Sequence, residues 1–274
     1  MESQLTETCF ATRPLPEAPA RIETIENYWD GRAGTYSAAV KDEVEKGFAP
    51  AWEKLISNEI AYLGTPDTLH ALDLGCGPGF LSILLARMGL QVDAMDLSLN
   101  MLAQASHNAR QAGLAKSIEF HQGDVSDTGL AGGAFDIIIS RNVTWLMKDP
   151  VAAYREWHRL LAPGGKLLVF DANWYLYLAD SVLDKRRRRD QADRSVLGRS
   201  QQTSATSEQE DTCEKIAAAL PLTYALRPSW DLAILPQLGF FDVYADETVW
   251  KRLWSEGEQR FYASSPLFMV SARK

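Results

Sequence analysis

Two patterns of apolar residues alternate along the chain from about residue 69 onward. Short, almost wholly apolar runs such as LHALDLG, LQVDAMD and FDIIIS have the length and composition of buried strands. Longer segments between them, such as GFLSILLARMG, SLNMLAQASHNARQAG and DPVAAYREWHRLLAPGG, predict helices. This alternation predicts an α/β, doubly wound fold with a mostly parallel sheet, in which FDIIIS, apolar on both faces, is a central strand.

The segments that flank this alternation have other patterns. Residues 1–21 are proline-rich and aperiodic, and we interpret them as a flexible leader. Residues 22–66 contain helix-compatible segments rich in Trp and Tyr, which predict an N-terminal helical cap within a single domain over residues 22–274. Residues 172–226 interrupt the sheet just after the fifth strand, where ligands bind in such folds, and predict an inserted lid over a substrate.

The charge balance bears on the classes of partner. Among 274 residues, 36 are acidic and 28 basic, for a net charge of −8, whereas nucleic-acid binding needs clustered basic residues. We therefore expect no nucleic-acid partner and no membrane partner, and we interpret the run Arg186–Arg189 as a solvated lid helix. The three cysteines are far apart, which predicts neither disulfides nor a zinc site. Without a secretory segment or a long apolar run, we expect a cytoplasmic protein.

A glycine-rich loop stands where the first strand turns into the first helix of the sheet region, and it reads Asp73-Leu74-Gly75-Cys76-Gly77-Pro78-Gly79. Glycines there let a ligand approach the backbone and the helix N–H groups. A dinucleotide-binding loop, G-x-G-x-x-G, would need a third glycine where Phe80 stands, which disfavours an NAD-dependent oxidoreductase. Asp73 would repel a pyrophosphate but attract an ammonium group, so a ligand with an amino acid tail fits better.

Acidic residues also end the next two strands. Asp96 ends the second strand about 20 residues beyond the loop, where a carboxylate can accept hydrogen bonds from ribose hydroxyls. Gly123-Asp124-Val125 ends the third strand, where a carboxylate and a backbone N–H together can recognise the edge of an adenine. The carboxyl edge of the sheet is therefore expected to bind an adenosyl group.

Five segments in order, LDLGCGPG, VDAMDLSLNMLAQA, FHQGDV, FDIIISRN and LAPGGKLLVFD, resemble those of the class I S-adenosylmethionine (SAM)-dependent methyltransferases. The resemblance is strongest to a small-molecule group that includes ubiquinone and menaquinone C-methyltransferases, and it covers about Tyr28 to Asp171 plus two closing strands. It implies a Rossmann-like, seven-stranded sheet whose last strand is antiparallel. It also implies methyl transfer (EC 2.1.1.-) from S-adenosyl-L-methionine to a small molecule, with S-adenosyl-L-homocysteine as product.

The resemblance also assigns cofactor contacts. In the glycine loop, the methionine portion of SAM would be lined by Asp73, Gly75, Cys76, Gly77 and Gly79. The nucleoside would be bound by Asp96, Leu97, Met101, Gly123, Asp124 and Val125. Ser140 and Arg141, after the fourth strand, would face the methionine portion. In the cap, Tyr28 and Tyr36 either reach the cofactor or only pack the cap core.

An acceptor pocket should form between the cap, the end of the fourth strand and the inserted segment. Its candidate residues are Tyr36, Asn142, Trp145, Asn173, Tyr175, Arg227 and Trp230. Arg227 either pairs with an acceptor carboxylate or bonds the lid to the core. A sulfonium donor is already activated, so catalysis is expected to rest on proximity and alignment, with no histidine assigned as base and no metal. A SAM-binding protein without transfer activity is the alternative function.

Overall fold

The computed structural model describes residues 21–45, 49–193, 196 and 205–274. The predicted flexible leader therefore lies outside the described residues, apart from its last position. Most of the polar stretch in the predicted lid, residues 194–204, also lies outside them. Within the described ranges, none of the helices combines the length and the apolar character needed to cross a bilayer.

Seven strands form a single sheet in the order β3-β2-β1-β4-β5-β7-β6. The first five are parallel to one another, and β7 runs antiparallel to both of its neighbours. The strands are β1 (His70–Leu74), β2 (Gln91–Asp96), β3 (Ile118–Gln122), β4 (Phe135–Arg141), β5 (Leu161–Asp171), β6 (Phe241–Asp246) and β7 (Phe268–Arg273). This confirms the predicted Rossmann-like sheet with its antiparallel last strand. The strand order reverses between β1 and β4, which is where such sheets open a crevice for ligands.

Helices cover the sheet and its carboxyl edge. They are α1 (Ile22–Glu45), α2 (Ala49–Ile60), α3 (Phe80–Arg87), α4 (Leu99–Gln111), α5 (Pro150–Leu160), α6 (Ser181–Asp190), α7 (Ser207–Ala218), α8 (Ser229–Ile234), α9 (Trp250–Leu253) and α10 (Glu256–Phe261). The first two cap segments form one continuous helix, α1, although Gly31 and Gly34 each cost it roughly 1 kcal/mol relative to Ala. Tertiary packing offsets that cost, because α1 lies along α4.

The core has one apolar layer on each face of the sheet. Ile137 and Ile139 of β4 pack into one layer, and Ile138 between them packs into the other. All three side chains are fully buried, which confirms the central position predicted for this strand. A third cluster joins α7 to the cap, since Ile216 contacts the group that contains Ile25.

The start of α4 and the end of α5 can be compared with the sequence pattern. Ser98 is the N-cap of α4, and its hydroxyl accepts a hydrogen bond from Met101 N at 3.0 Å. The helix predicted over DPVAAYREWHRLLAPGG ends before its Pro-Gly-Gly turn. α5 ends at Leu160, and Leu161 already pairs with Phe135 as part of β5. Pro163 disfavours a helical residue before it, and burial of Leu161 against the sheet stabilises the extended backbone.

Candidate active site

The glycine-rich loop between β1 and α3 is folded against β2. The backbone N–H groups of Gly75 and Cys76 both donate to the carbonyl oxygen of Met95, at 2.8 and 2.9 Å. Gly75 has φ +70°, and a Cβ at this position would overlap the side chain of Val143. Gly77 has φ +51° and opens toward a cavity. The loop therefore needs glycine at position 75 so that Val143 can pack against it, and at position 77 so that the backbone stays open to the cavity.

A cavity of about 260 Å³ lies at the carboxyl ends of the strands, between this loop and α1. We call it the strand-end cavity. It is lined by residues that the sequence analysis selected for the cofactor or the acceptor: Tyr36, Gly75, Gly77, Asp96, Leu97, Met101, Gly123, Asp124, Val125, Arg141 and Asn142. Ile22, Ile25 and Trp29 of α1 complete one wall, and another is completed by Val143, Leu146, Met147, Lys148 and Asp149. The predicted nucleoside contacts are thus brought together around one cavity.

Asp96 holds the floor of the strand-end cavity in place. Its Oδ2 accepts from Gly77 N at 2.8 Å, and its Oδ1 accepts from Ser98 N at 2.9 Å. A carboxylate has about four lone-pair sites, so these two bonds leave it able to accept from two ligand hydroxyls. Burial raises the pKa of this carboxyl, and the two backbone N–H groups oppose that rise.

The turn after β3 forms the end of the strand-end cavity. Gly123 N donates to the carbonyl oxygen of Asp96 at 3.1 Å, which holds the turn against β2. Asp124 Oδ1 accepts from Ser126 N at 2.8 Å, and the carbonyl of Val125 accepts from the Trp157 indole at 2.8 Å. The backbone of this turn is fixed on both sides, so its acid and amide groups are presented to the cavity in one arrangement.

Four predicted cofactor contacts do not line either cavity described here: Asp73, Cys76, Gly79 and Ser140. Asp73 is 1% exposed and accepts a 2.6 Å hydrogen bond from the Ser82 hydroxyl, so it lies beneath the loop. Burial raises its pKa to about 7. Gly79, at φ +89°, begins α3 and packs against Ala105. In this structure these four residues lie beside or beneath the strand-end cavity, and their contacts with SAM stay predictions.

Asn142 has an unusual backbone immediately after β4. Its φ is +59°, which is uncommon for a residue other than glycine and is found disproportionately at functional sites. The Asn142 N–H donates to the carbonyl of Phe170 at 2.8 Å, and its own carbonyl accepts from the Trp145 indole at 2.9 Å. Its side-chain Oδ1 is buried and has no hydrogen-bond partner among the described residues. This oxygen is therefore available to a ligand.

A second cavity of about 340 Å³, which we call the cap cavity, lies between α1, the segment after β5 and α7. It shares four wall residues with the strand-end cavity: Trp29, Tyr36, Arg141 and Asn142. Eight of its eighteen remaining wall residues are aromatic: Tyr28, Trp145, Trp174, Tyr175, Tyr177, Trp254, Phe261 and Tyr262. The acceptor candidates Tyr36, Asn142, Trp145 and Tyr175 line it, and Tyr28 lines this cavity and not the first.

Three aromatic residues of the cap cavity were missed by sequence reasoning. Trp254, Phe261 and Tyr262 belong to α10 and its flanks, between β6 and β7. Trp254 and Tyr262 pack together and against Trp174, with ring centroids 5.5 to 6.4 Å apart. A cluster of aromatic residues in that segment was the only available signal, and it does not say which cavity the segment closes.

Three acceptor candidates, Asn173, Arg227 and Trp230, do not line the cap cavity, and their role at the acceptor stays a prediction. Arg227 is 3% exposed and pairs with Asp171 and Asp231, each at 2.7 Å. Asn173 exchanges two hydrogen bonds with the Arg227 backbone, at 2.8 and 3.1 Å. Trp230 is buried in the core. Of the two roles considered for Arg227, the structure favours bonding the inserted segment to the sheet.

The run of four arginines belongs to α6, on the surface, as predicted. Arg188 pairs with Asp184 at 2.9 Å on the same helix. Arg187 differs, because it turns inward over the Tyr177 ring, at 3.8 Å from the centroid, and lines the cap cavity. Arg187 also pairs with Asp184 and with Glu214, at 3.4 and 3.8 Å. The inward position of Arg187 could not be predicted from the sequence, in which it looks like the three arginines beside it.

Comparisons with known proteins agree with this site. Residues 72–169 match the family described as a methyltransferase domain. A ubiquinone biosynthesis O-methyltransferase of Cereibacter sphaeroides is 30% identical over 164 residues, 58% of this chain and 64% of the relative. Phosphoethanolamine N-methyltransferase 3 of Arabidopsis thaliana is 36% identical over 101 residues, 36% of this chain and 20% of the relative.

Solved structures share the fold. Phosphoethanolamine N-methyltransferase 2 of Haemonchus contortus, in complex with S-adenosyl-L-methionine, superposes with a TM-score of 0.51 at 18% identity, covering 75% of this chain and 48% of that one. The chain spans less than two thirds of the length of the curated relatives named above.

Proposed function

The chain belongs to the class I SAM-dependent methyltransferases, and from this premise we propose that it transfers a methyl group from SAM to a small-molecule acceptor. The observation that carries the proposal is the wall common to the two cavities. Trp29, Tyr36, Arg141 and Asn142 line both, so a cofactor in one cavity and an acceptor in the other would meet there. Ubiquinone and phosphoethanolamine methyltransferases among the relatives support a small-molecule acceptor.

The residues of the strand-end cavity fit SAM. Asp96 has lone pairs left for ribose hydroxyls, and Leu97 and Met101 give an apolar surface for the adenine. At the other end, the Asn142 Oδ1 and the Trp29 indole N–H are buried without a hydrogen-bond partner among the described residues. Buried polar atoms without partners are rare in native proteins, and a bound ligand accounts for them. Both residues belong to the wall that the two cavities share.

Alignment is the main contribution that these residues make to the reaction. When bound, SAM supplies an activated methyl group on a sulfonium. The shared wall would bring the acceptor atom into line with that methyl, and proximity and orientation of this kind can supply roughly 7–11 kcal/mol. The aromatic side chains of the cap cavity would exclude water from the reacting atoms. α1 is fixed in this position because the Asp30 carboxylate accepts a hydrogen bond from the Ser98 hydroxyl on the neighbouring loop.

Three phenols of the cap cavity, Tyr28, Tyr175 and Tyr177, and its Cys213 thiol remain protonated at neutral pH. Burial raises the pKa of Tyr28, Tyr175 and Tyr177 well above the usual phenol range. Burial also raises the pKa of Cys213, whose sulfur accepts a hydrogen bond from the Tyr175 hydroxyl at 3.0 Å. These groups are therefore donors and apolar walls rather than bases, which agrees with a reaction governed by alignment.

Thermal unfolding with SAM, S-adenosylhomocysteine or NAD tests the cofactor. At 100 times its dissociation constant, a ligand that binds only the folded state should add roughly 2.7 kcal/mol of stability. We expect this gain with both adenosyl ligands, and its loss in Asp96→Ala and in the more conservative Asp96→Asn. Asp93→Asn is the matched control, since Asp93 lies on the same strand but does not line the strand-end cavity. A gain with NAD alone, or with none of the three, would contradict the proposal.

Transfer itself is tested with methyl-labelled SAM and a panel of small acceptors, followed by mass spectrometry. Transfer of label to any small acceptor supports the proposal. Cofactor binding with label that stays on SAM throughout a broad panel of amines, phenols, thiols and acids would instead favour a SAM-binding protein without transfer activity.

A further inference from the structure

Arg32 is a buried cation on the face of α1 that lines the cap cavity. Its side chain is 8% exposed. Nη1 donates to the Thr35 hydroxyl at 2.8 Å and to Gln209 Oε1 at 3.3 Å, and both of these acceptors are neutral. Nε is buried without a hydrogen-bond partner. Within the described parts of the chain, no carboxylate lies within ion-pair distance of this guanidinium.

A guanidinium is charged at every physiological pH, so it cannot avoid the free-energy cost of burying a charge by losing its proton. Burying such a charge without a counterion is strongly unfavourable. The same chain shows the usual solution at Arg227, which is equally buried and is paired with Asp171 and Asp231. Arg32 lacks such partners, so its counterion has to come from something that enters the cavity.

The acids around the cap cavity are already engaged. Glu214 accepts from the Tyr177 hydroxyl at 2.5 Å and lies 3.8 Å from Arg187. Glu258 accepts two hydrogen bonds from Ser255 at the start of α10. Glu214 and Glu258 are paired with other donors, and the hydrogen bonds of Arg32 go to neutral groups, so neither of these two carboxylates neutralises Arg32.

Arg32 also lies close to the wall shared by the two cavities, where methyl transfer is proposed. Trp29 is three residues before it and Tyr36 four residues after it, so the three side chains share one face of α1. Neighbours at this spacing have Cβ atoms roughly 5–6 Å apart. An anion at Arg32 would therefore place the rest of a compact ligand against the shared wall.

We propose that the acceptor carries a carboxylate or phosphate that pairs with Arg32, with its methylated atom about one helical turn away at the shared wall. This inference rests on the proposed function, because it assigns the cap cavity to the acceptor. Arg32 is then the residue that selects anionic acceptors, and the aromatic walls select a compact body. The two Arg32 nitrogens not used by Thr35 and Gln209, Nε and Nη2, suit the paired oxygens of either anion.

Titration calorimetry on protein saturated with S-adenosylhomocysteine tests the proposal with four probes. Benzoate is compared with neutral benzamide, and phenyl phosphate with neutral benzyl alcohol. We expect at least one anion to bind about tenfold or more tightly than its neutral counterpart, the ratio typical of a charge-assisted hydrogen bond. Whichever anion shows the larger ratio identifies carboxylate or phosphate as the acceptor group.

Arg32→Met should abolish this preference, and Arg32→Lys should retain part of it, while Arg110→Met on the exposed end of α4 should leave it unchanged. Equal binding of anions and neutral probes, or a preference that survives in Arg32→Met, would overturn the proposal.

The melting temperature without probes gives an independent readout. We expect Arg32→Met to melt no lower than wild type, because it removes an unpaired buried charge. A large drop would show a structural role and would also overturn the proposal.

The two proposals fail in different ways. If S-adenosylhomocysteine stabilises neither wild type nor Arg32→Met, the proposed function itself is wrong. If it stabilises both equally but anions gain nothing from Arg32, only the anionic character of the acceptor is wrong.

Discussion

Arg227→Met is the most direct test of how the inserted segment is bonded to the sheet. The Arg227 side chain is almost fully buried, with Asp171 and Asp231 completely so. Nε and Nη2 bond both oxygens of Asp231 at 2.9 and 2.7 Å, and Nη1 bonds Asp171 at 2.7 Å. The substitution keeps much of the apolar volume and removes the only cation that neutralises the two carboxylates among the described residues.

The expected loss of unfolding free energy depends on the hydrogen bonds that each carboxylate retains in Arg227→Met. Asp171 still accepts from Trp145 N, Ala172 N and the Trp174 indole, at 2.9 to 3.0 Å. Asp231 keeps only the Tyr154 hydroxyl, at 2.5 Å. Breaking a buried ion pair from one side costs about 3–5 kcal/mol, and here most of that cost falls on Asp231. The double variant Arg227→Met/Asp231→Asn should therefore recover a substantial part of it.

Urea denaturation followed by tryptophan fluorescence measures this loss. We expect the unfolding free energy of Arg227→Met to be lower by about 3–5 kcal/mol, and Arg110→Met, on the surface of α4, to stay within about 0.5 kcal/mol of wild type. A loss below about 1 kcal/mol in Arg227→Met, or no recovery in the double variant, would refute this account of the network. Normal stability with selective loss of acceptor binding would instead return Arg227 to the substrate site.

Two further substitutions test the glycine-rich loop. The pKa of Asp73 is raised from 3.8 to about 7, so wild type loses stability as pH rises between these values, because the folded state holds a proton that the unfolded chain has released. Asp73→Asn should lack this loss and gain up to about 4 kcal/mol on wild type between pH 4 and 8, measured by urea denaturation at each pH; a difference independent of pH would contradict it. Gly75→Ala should lower stability and the S-adenosylhomocysteine thermal shift, because its Cβ would overlap Val143. Gly113→Ala, at a similar φ of +74° with nothing near its Cβ, should cost only about 1–2 kcal/mol, and equal effects of the two would refute the packing argument.

The strand-end cavity was largely predictable because its residues are set by local rules. Each contact follows a strand directly, and the carboxyl ends of parallel strands meet at one edge of the sheet. Asp96, Asp124 and Arg141 therefore converge once the strands and their order are known. The burial of Asp73 was not predicted, because strand position does not give side-chain burial; the Ser82 hydroxyl, in the first turn of α3, donates to it beneath the loop.

The cap cavity shows the limit of such reasoning. Its walls come from α1, the segment after β5, α7 and the region between β6 and β7, and no periodic pattern relates these segments to one another. Arg227 and Arg32 look alike in sequence, yet among the described residues Arg227 pairs with two buried aspartates and Arg32 pairs with none.

The sequence by itself determined the alternation of strands and helices and the glycine-rich loop, because these depend on residue spacing along strands and turns. The antiparallel last strand and the cofactor came from its resemblance to a known family. Only the tertiary structure decided that Arg227 is neutralised by two aspartates and that Arg32 lines a cavity with no carboxylate partner among the described residues. The physical reason is that burial and counterion distance are properties of packing between distant segments, such as Arg32 with Gln209 and Arg227 with Asp171.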